Sequence, residues 1–326
     1  VYNLDGSGNL IDRIPDNVLG QSNFYTNTAA NTQAGMSSPY ALAYDAVNQR
    51  LFVSNNGNNR VTVYNISDGI TNGENAINVL GQTTFTSSTA TTTQAGMNTP
   101  LGLAYDSANQ RLFVTQSSGR RVTVYDLFDG ITNGENAINV LGQTTFTSAT
   151  SSLTQTGLVY PMGVSYDSVS RRLFVADQNA NRVMVYDLSD GITDGEKGVA
   201  VIGPSTFVSS QASLTGMVSP GHIYYDEYTQ RLYAPTTGNW NRVFVHDVGV
   251  QSAALSGTVY ESDGVTPLGN QTVVVHDATT NILIATTTSN VATGAYSFSN
   301  LNLMPGDAMA VYLDGMDAKA VTVGYV

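Results

Sequence analysis

Short apolar stretches alternate with polar turn residues along most of the chain. Between residues 101 and 142 the apolar stretches read LGLAYD, RLFVTQ, RVTVYDL and AINVLG, and they are bounded by Asn, Gly, Ser or Asp. β-Branched and aromatic residues fill these stretches, and none has the spacing of an amphipathic helix. The separating segments have the length and composition of hairpin turns. The pattern therefore predicts antiparallel strands in sheets that are covered on both faces.

The same set of strands returns at an offset of 61 residues. The segment DGITNGENAINVLGQTTFTS occurs at 68–87 and again, unchanged, at 129–148. A Tyr-Asp pair and an Arg-Leu-(Phe/Tyr) triplet recur in step, the triplet beginning at Arg50, Arg111, Arg172 and Arg231. Repeated units that cannot bury their apolar faces alone stack on one another. We therefore predict an all-β fold, a four-bladed β-propeller with units at about 3–64, 65–125, 126–186 and 187–247.

The connection from one blade to the next, such as 82–99, is long for a segment without secondary structure of its own. Apolar residues recur early and late in each connection, at Phe24, Phe85, Phe146 and Phe207 and at Met36, Met97, Leu158 and Met217. We expect these side chains to attach the connections, called crossovers below, to the blades.

The repeated residues resemble those of NHL-repeat proteins. The segments RLFVSNNGNNRVTVYN (50–65) and RRLFVADQNANRVMVYD (171–187) carry the resemblance, together with the Tyr-Asp pairs. It covers about 1–248 and implies a propeller fold for that region. The chain departs from the family in two ways, because its units are longer and fewer than those with which the family usually closes its ring.

The ends of the repeated region bear on ring closure. A Val-Leu-Gly strand at 18–20 precedes any partner of its own, and the last unit ends at RVFVHD (242–247) without one. We expect 18–20 to complete the fourth blade and close the ring. The alternative is that VYNLDGSG (1–8), which imitates the strand and turn before Val-Leu-Gly elsewhere, is the end of a blade in a longer precursor.

The pattern changes after residue 248. Segments such as LSGTVY, TVVVHD and GAYSFSNL are separated by Asp-Gly, Pro and Gly turns, which predicts a small β-sandwich at 253–326. The motifs resemble the carboxypeptidase regulatory-like domains of bacterial surface proteins. That resemblance implies a spacing or adhesive role at a surface.

Composition narrows the class of partner. A net charge of −12 and a pI near 4.4 argue against binding to nucleic acid and to an anionic membrane surface. No apolar run approaches the roughly 18 residues of a membrane span, which argues against insertion into a membrane. The absence of Cys excludes disulfides and thiolate metal sites. Lys occurs only at 197 and 319, and a surface of Thr, Ser, Asn and Gly is typical of an extracellular or cell-surface protein. The chain begins with Val1 and shows no signal-peptide pattern, so we expect a processed product or part of a longer protein.

The loops between the second and third strands of the blades differ between units, whereas the strands are nearly copied. Loops on a rigid scaffold are where recognition is expected, and the single Trp lies in one of them. We predict a rim on this side that binds a protein or a glycan, through Asn55, Asn56, Asn58, Gln116, Arg120, Asp177, Gln178, Asn239 and Trp240.

Metal and catalytic chemistry have weak support. The segment DLSDGITDGEK supplies a calcium candidate, Asp187, Asp190, Asp194 and Glu196, although its spacing does not fit an EF-hand loop. His246-Asp247 and His276-Asp277 lie in strands, where neighbours point to opposite faces and cannot share a ligand. We therefore predict no cofactor and a non-enzymatic structural or interaction protein. The alternative, taken from relatives of the implied fold, is a lyase or a lactonase-like hydrolase with a metal in the central channel.

Strand-like residues at both ends suggest self-association. Val1 and Tyr2 at one end, and Val321 and Val323 at the other, are suited to adding a strand to another subunit. Contacts of this kind that do not close on themselves produce filaments. The alternative is that 321–326 are the last strand of their own sandwich and that 1–3 are a frayed end.

Overall fold

The computed structural model describes residues 7, 14–211, 217–237, 241–248, 251–261, 263–277, 283–303, 308–313 and 322–325. The chain divides into two compact units. The first comprises Val1–Glu227 and Leu232–Val245, and the second comprises Tyr228–Arg231 and His246–Val326. Within the described ranges, no helix is long and apolar enough to cross a membrane.

The first unit is built from antiparallel sheets that follow the chain in order. Three sheets have four strands and the fourth has three among the described residues. The strands are β1 Pro39–Asp45, β2 Arg50–Asn55, β3 Arg60–Asn65 and β4 Asn78–Leu80; β5 Pro100–Asp106, β6 Arg111–Gln116, β7 Arg121–Asp126 and β8 Asn139–Leu141; β9 Pro161–Asp167, β10 Arg172–Asp177, β11 Arg182–Asp187 and β12 Ala200–Ile202; and β13 Tyr224–Asp226, β14 Arg231–Pro235 and β15 Val243–Asp247. Short 3₁₀ turns at Asn56–Asn58 and Gln178–Ala180 follow β2 and β10.

The first strands of successive sheets lie side by side, β1 against β5, β5 against β9 and β9 against β13. Their approach is close enough to require glycine. A Cβ atom added to Gly102 would lie 2.5 Å from the Met162 carbonyl oxygen, and one added to Gly163 would lie 2.6 Å from that of Gly221. Consecutive sheets with neighbouring inner strands are the blades of a β-propeller.

The core of this unit lies between the blades. Phe52, Val61 and Val63 of the first blade pack with Leu103 and Leu112 of the second. A corresponding layer joins the second blade to the third. Each blade therefore buries its apolar faces against its neighbours, which is why the strands are apolar on both sides.

In each of the first three blades, a buried arginine at the start of the third strand fastens two crossovers. Arg60 is fully buried; its Nη2 donates to the carbonyls of Thr32 and Gly35, each at 2.9 Å, and its Nη1 donates to the Phe85 carbonyl. Arg121 and Arg182 make the equivalent bonds. The apolar residues expected late in the crossovers are buried as well, at Met36, Met97, Leu158 and Met217. Of those expected early, Phe24 is 46% exposed and is not a buried attachment.

Closure of the ring by residues 18–20 stays a prediction. Residues 18–20 lie outside any strand, and the described part of the fourth sheet ends at β15. The Val18 amide bonds to Asn72 Oδ1 and its carbonyl accepts the Gly73 amide, just as Val79 bonds to the equivalent turn of the second blade. Residues 18–20 therefore contact a turn of the first blade in the way that β4 contacts a turn of the second.

The second unit contains two sheets. β16 Gln251–Thr258 pairs with β19 Ala295–Leu303, and the other sheet has the order β18 Leu283–Thr288, β17 Thr272–Asp277, β20 Ala308–Leu313 and β21 Thr322–Tyr325. Val259, Val273, Phe298 and Leu301 belong to its core, as in a β-sandwich.

The residues expected to drive assembly have different outcomes. In the register of β20 and β21, Val323 pairs with Ala310 of its own sheet, so this strand belongs to the sandwich. Val1, Tyr2 and Val321 lie outside the described residues. Self-association therefore stays a prediction.

Candidate recognition site

Three residues of the predicted binding rim belong to the interior. Asn55, Gln116 and Asp177 are all fully buried. Gln116 Oε1 accepts a hydrogen bond from Arg121 Nε at 3.1 Å, and Asp177 Oδ2 accepts one from Arg182 Nε at 3.0 Å. Gln116 and Asp177 thus support buried arginines, whereas Asn55 Nδ2 donates to Thr62 Oγ1 at 2.9 Å. That this rim contacts a partner stays a prediction.

The other rim residues lie nearer the surface. Asn58 is almost buried and donates to the Ala30 carbonyl at 2.8 Å, whereas Asn56 is half-buried. Arg120 Nη1 donates to the Val159 carbonyl. Asn239 and Trp240 lie outside the described residues, so their predicted role is open.

At the start of the third blade the repeat changes. Elsewhere an Asn at the end of the loop accepts the amide of the residue before the inner-strand Pro, as Asn59 Oδ1 does from Thr99 at 2.9 Å. Arg120 stands at that position in the second blade and has no acceptor to offer. Asp177 takes over, since its Oδ1 accepts the Tyr160 amide at 2.7 Å.

The exchange changes how Tyr160 is held. Residues equivalent to it have positive φ, 57° at Thr99 and 40° at Ser219, but Tyr160 is not among the positive-φ residues. A large aromatic residue would be strained in that conformation. Arg120, Asp177 and Tyr160 therefore form one coordinated departure from the repeat.

Tyr160 directly precedes the inner strand β9, and two further aromatic residues, Tyr40 and His222, lie at the same end of the first and fourth inner strands. Tyr40 stacks on His222 with ring centroids 4.6 Å apart and an interplanar angle of 26°. Burial, followed by the neighbouring Tyr160, raises the pKa of the Tyr40 hydroxyl, and partial desolvation lowers the pKa of His222. Both rings are therefore uncharged at neutral pH. His222 holds the place that Gly102 and Gly163 hold in the two preceding blades.

Polar groups lie beside these rings. Gln178 Nε2 donates to Thr237 Oγ1 at 2.7 Å, and the Gln178 amide donates to the Tyr160 carbonyl at 3.0 Å. We call the set formed by Tyr40, Tyr160, Gln178, His222 and Thr237 the mouth. Uncharged aromatic faces with amide and hydroxyl groups at their edge are suited to a small polar ring or to a peptide.

The weak calcium candidate does not form a site. Asp187 Oδ1 accepts the Ser189 amide at 2.9 Å, and Asp194 Oδ1 accepts the Val140 amide at 3.0 Å. Glu196 accepts hydrogen bonds from Thr193 within its own turn. No group of three His, Asp or Glu residues placed to hold a metal occurs in the part of the chain that the structure describes. The carboxylates shape turns instead of converging.

No protein-family model matches the chain, and no curated protein matches it. Solved structures are similar to it over much of its length. A crystal structure of a nidogen/laminin complex matches with 16% identity and a TM-score of 0.40, and the match covers 82% of this chain and 87% of that chain. Hydrazine synthase of Kuenenia stuttgartiensis matches with 13% identity, 89% and 76% coverage and a TM-score of 0.42. A protein of unknown function from Bacteroides thetaiotaomicron matches with 15% identity, 64% and 46% coverage and a TM-score of 0.42.

Proposed function

We propose that this chain is a non-enzymatic recognition protein of the cell surface, in which the propeller binds carbohydrate at the mouth and the sandwich acts as a spacer. The resemblance of the repeats to NHL proteins, and of the second domain to carboxypeptidase regulatory-like domains, supports this assignment. The low lysine content and the Thr, Ser and Asn surface support the extracellular location.

One observation carries the proposal. The repeat is copied closely in its strands, but at the mouth Arg120, Asp177 and Tyr160 change together, and an aromatic residue close enough to influence Tyr40 replaces the Ser or Thr of the other blades. Interior packing gives no reason for this change, because the other blades hold Ser or Thr at the position of Tyr160. Tyrosine rings with adjacent amide groups match the apolar face and the hydroxyl groups of a sugar.

The test is a glycan array followed by titration calorimetry with the best neutral oligosaccharide. Tyr160→Thr, which restores the residue type of the other repeats, should weaken binding by about tenfold or more through loss of one stacking face. Tyr25→Ala is the matched control, because Tyr25 is 99% exposed on a crossover. Absence of any bound glycan, or equal affinity in Tyr160→Thr, would refute the proposal.

A further inference from the structure

An ion pair that is present in the first and third blades is not formed between the equivalent residues of the second blade. The Arg at the start of the second strand pairs with the Asp that ends the inner strand, Arg50 with Asp45 at 2.6 Å and Arg172 with Asp167 at 2.8 Å. Arg111 and Asp106 are partners in the same strand register. Among the described contacts, they form no ion pair.

A cavity of about 230 Å³ lies at this position, between the second and third blades. Asp106 borders it and is 2% exposed. Its Oδ2 accepts Asn109 Nδ2 at 2.8 Å, as Asp45 Oδ2 accepts Asn48, but it lacks the guanidinium donors that Asp45 receives from Arg50. A buried carboxylate thus retains room for one cationic donor.

A second guanidinium borders the same cavity. Arg171 stands where the other repeats have Gln49, Gln110 and Gln230, and its Nη1 donates to the Ser189 carbonyl at 3.3 Å. Tyr166 lies among these charges: burial and then Asp106 raise the pKa of its hydroxyl, while Arg171 and Arg111 act in the opposite direction. Two departures from the repeat therefore meet at one cavity.

The rest of the wall is mixed. Phe113, Leu188 and Ile192 form its apolar part, and Asn109, Ser189, Asp190 and Gly191 complete it. The volume is below the roughly 300 Å³ at which pockets for drug-sized ligands begin, so the occupant must be small. It must also carry both charges, because the cavity presents two carboxylates, Asp106 and Asp190, and two guanidinium groups.

We infer that this cavity binds a free α-amino acid with an apolar side chain. The ammonium group occupies the position beside Asp106, and the carboxylate bridges Arg111 and Arg171, where charge-assisted hydrogen bonds are strongest. The side chain lies against Leu188 and Ile192. The site is independent of carbohydrate binding at the mouth.

The test is titration calorimetry with L-leucine, and with N-acetyl-L-leucine and L-leucinamide, which each lack one charge. L-leucine should bind, and each derivative should bind at least about tenfold more weakly. Arg171→Gln, which restores the residue of the other repeats, should weaken leucine binding by about tenfold, and Arg111→Gln should abolish it. Arg50→Gln, an equivalent change in a blade with a closed pair, should leave binding unchanged.

Three results would overturn the inference. The first is no heat from L-leucine or another apolar amino acid at about 10 mM, which corresponds to an affinity too weak to be specific. The second is N-acetyl-L-leucine binding as tightly as leucine. The third is equal loss in Arg50→Gln and Arg111→Gln, with circular dichroism showing that all variants are folded.

Discussion

Three junctions between blades are alike, and the place where the fourth blade meets the first differs from them. Each like junction packs a Phe ring of one blade against a Tyr ring of the next, with centroids 5.2–5.6 Å apart: Phe52 with Tyr105, Phe113 with Tyr166 and Phe174 with Tyr225. The fourth and first blades instead meet through His222 and Tyr40. We call this last junction the seam.

Equivalent residues have opposite environments at the two kinds of junction. Leu42, at the seam, is 63% exposed, whereas its counterpart Leu103 is 7% exposed. Val245 of the fourth blade is 52% exposed, and its counterpart Val124 is fully buried. The repeated apolar pattern therefore determines which face of a blade is apolar, but that face is buried only where a neighbouring blade packs against it. The free energy of unfolding should then depend on how well each junction is packed.

The largest expected difference concerns the arginine at the start of the third strand. Arg121→Met removes a fully buried guanidinium and leaves the carbonyls of Gly96 and Phe146 without their donor. We expect a loss of about 4 kcal/mol in the free energy of unfolding by urea. The counterpart Arg242 is exposed, and Arg242→Met should cost less than about 1 kcal/mol. Equal losses would show that the blades do not differ in this way.

A smaller difference is expected for the valines that face the next blade. Val124→Ala opens a space in a filled junction and should cost about 2 kcal/mol, measured by the same unfolding experiment. Val245→Ala, at the seam, should stay within about 0.5 kcal/mol of the unchanged protein. A large loss at Val245 would indicate that the seam is packed in solution.

The seam contact itself should contribute modestly. His222→Ala removes one ring of the stack with Tyr40 and introduces the residue type found at Ala41 of the first blade. A cost of about 1 kcal/mol is expected from the lost aromatic pair. A change above the cost of Val124→Ala would mean that the stack, and not the blade faces, holds the seam together.

The smallest effect is a pH dependence at a like junction. Burial, and then the nearby Asp45, raise the pKa of Tyr105 from 10.0 to about 12. The unfolded chain therefore loses this proton first, so the stability from the neutral hydroxyl is complete below pH 10 and is lost as the pH rises toward 12. Tyr105→Phe should flatten the stability curve in that window. A curve that keeps its slope would assign the alkaline loss to other groups.

The repeat made the blades predictable. The stretches LGLAYD and RVTVYDL form β5 and β7 nearly as expected, because stretches that are apolar on both faces are strongly favoured as strands buried between two blades. The outer strand is shorter than predicted, with Asn139–Leu141 in place of 137–142. It pairs on one side only, so fewer of its residues are held in a ladder.

The rim was harder to predict. Variation at Asn55, Gln116 and Asp177 looked like surface divergence, yet these residues are buried and lie five positions before an arginine in each unit. That fixed spacing was the available signal, since Gln116 and Asp177 both accept hydrogen bonds from that arginine. The role of Arg120 could not be found from the sequence. Arg120 replaces an Asn that accepts a backbone amide in other blades, and Asp177 of a different blade accepts the corresponding amide of Tyr160 instead.

The bonds of the buried arginines also define which piece of chain is one self-contained repeat. Arg121 bonds to Gly96, 25 positions before it, and to Phe146, 25 positions after it. An isolated blade cut at 65–125 would contain the arginine without its second acceptor. A piece from 87 to 147, cut inside the crossovers, contains both acceptors with their arginine. A single repeat of this protein should therefore be excised in that frame, and not in the frame of the visible sheets.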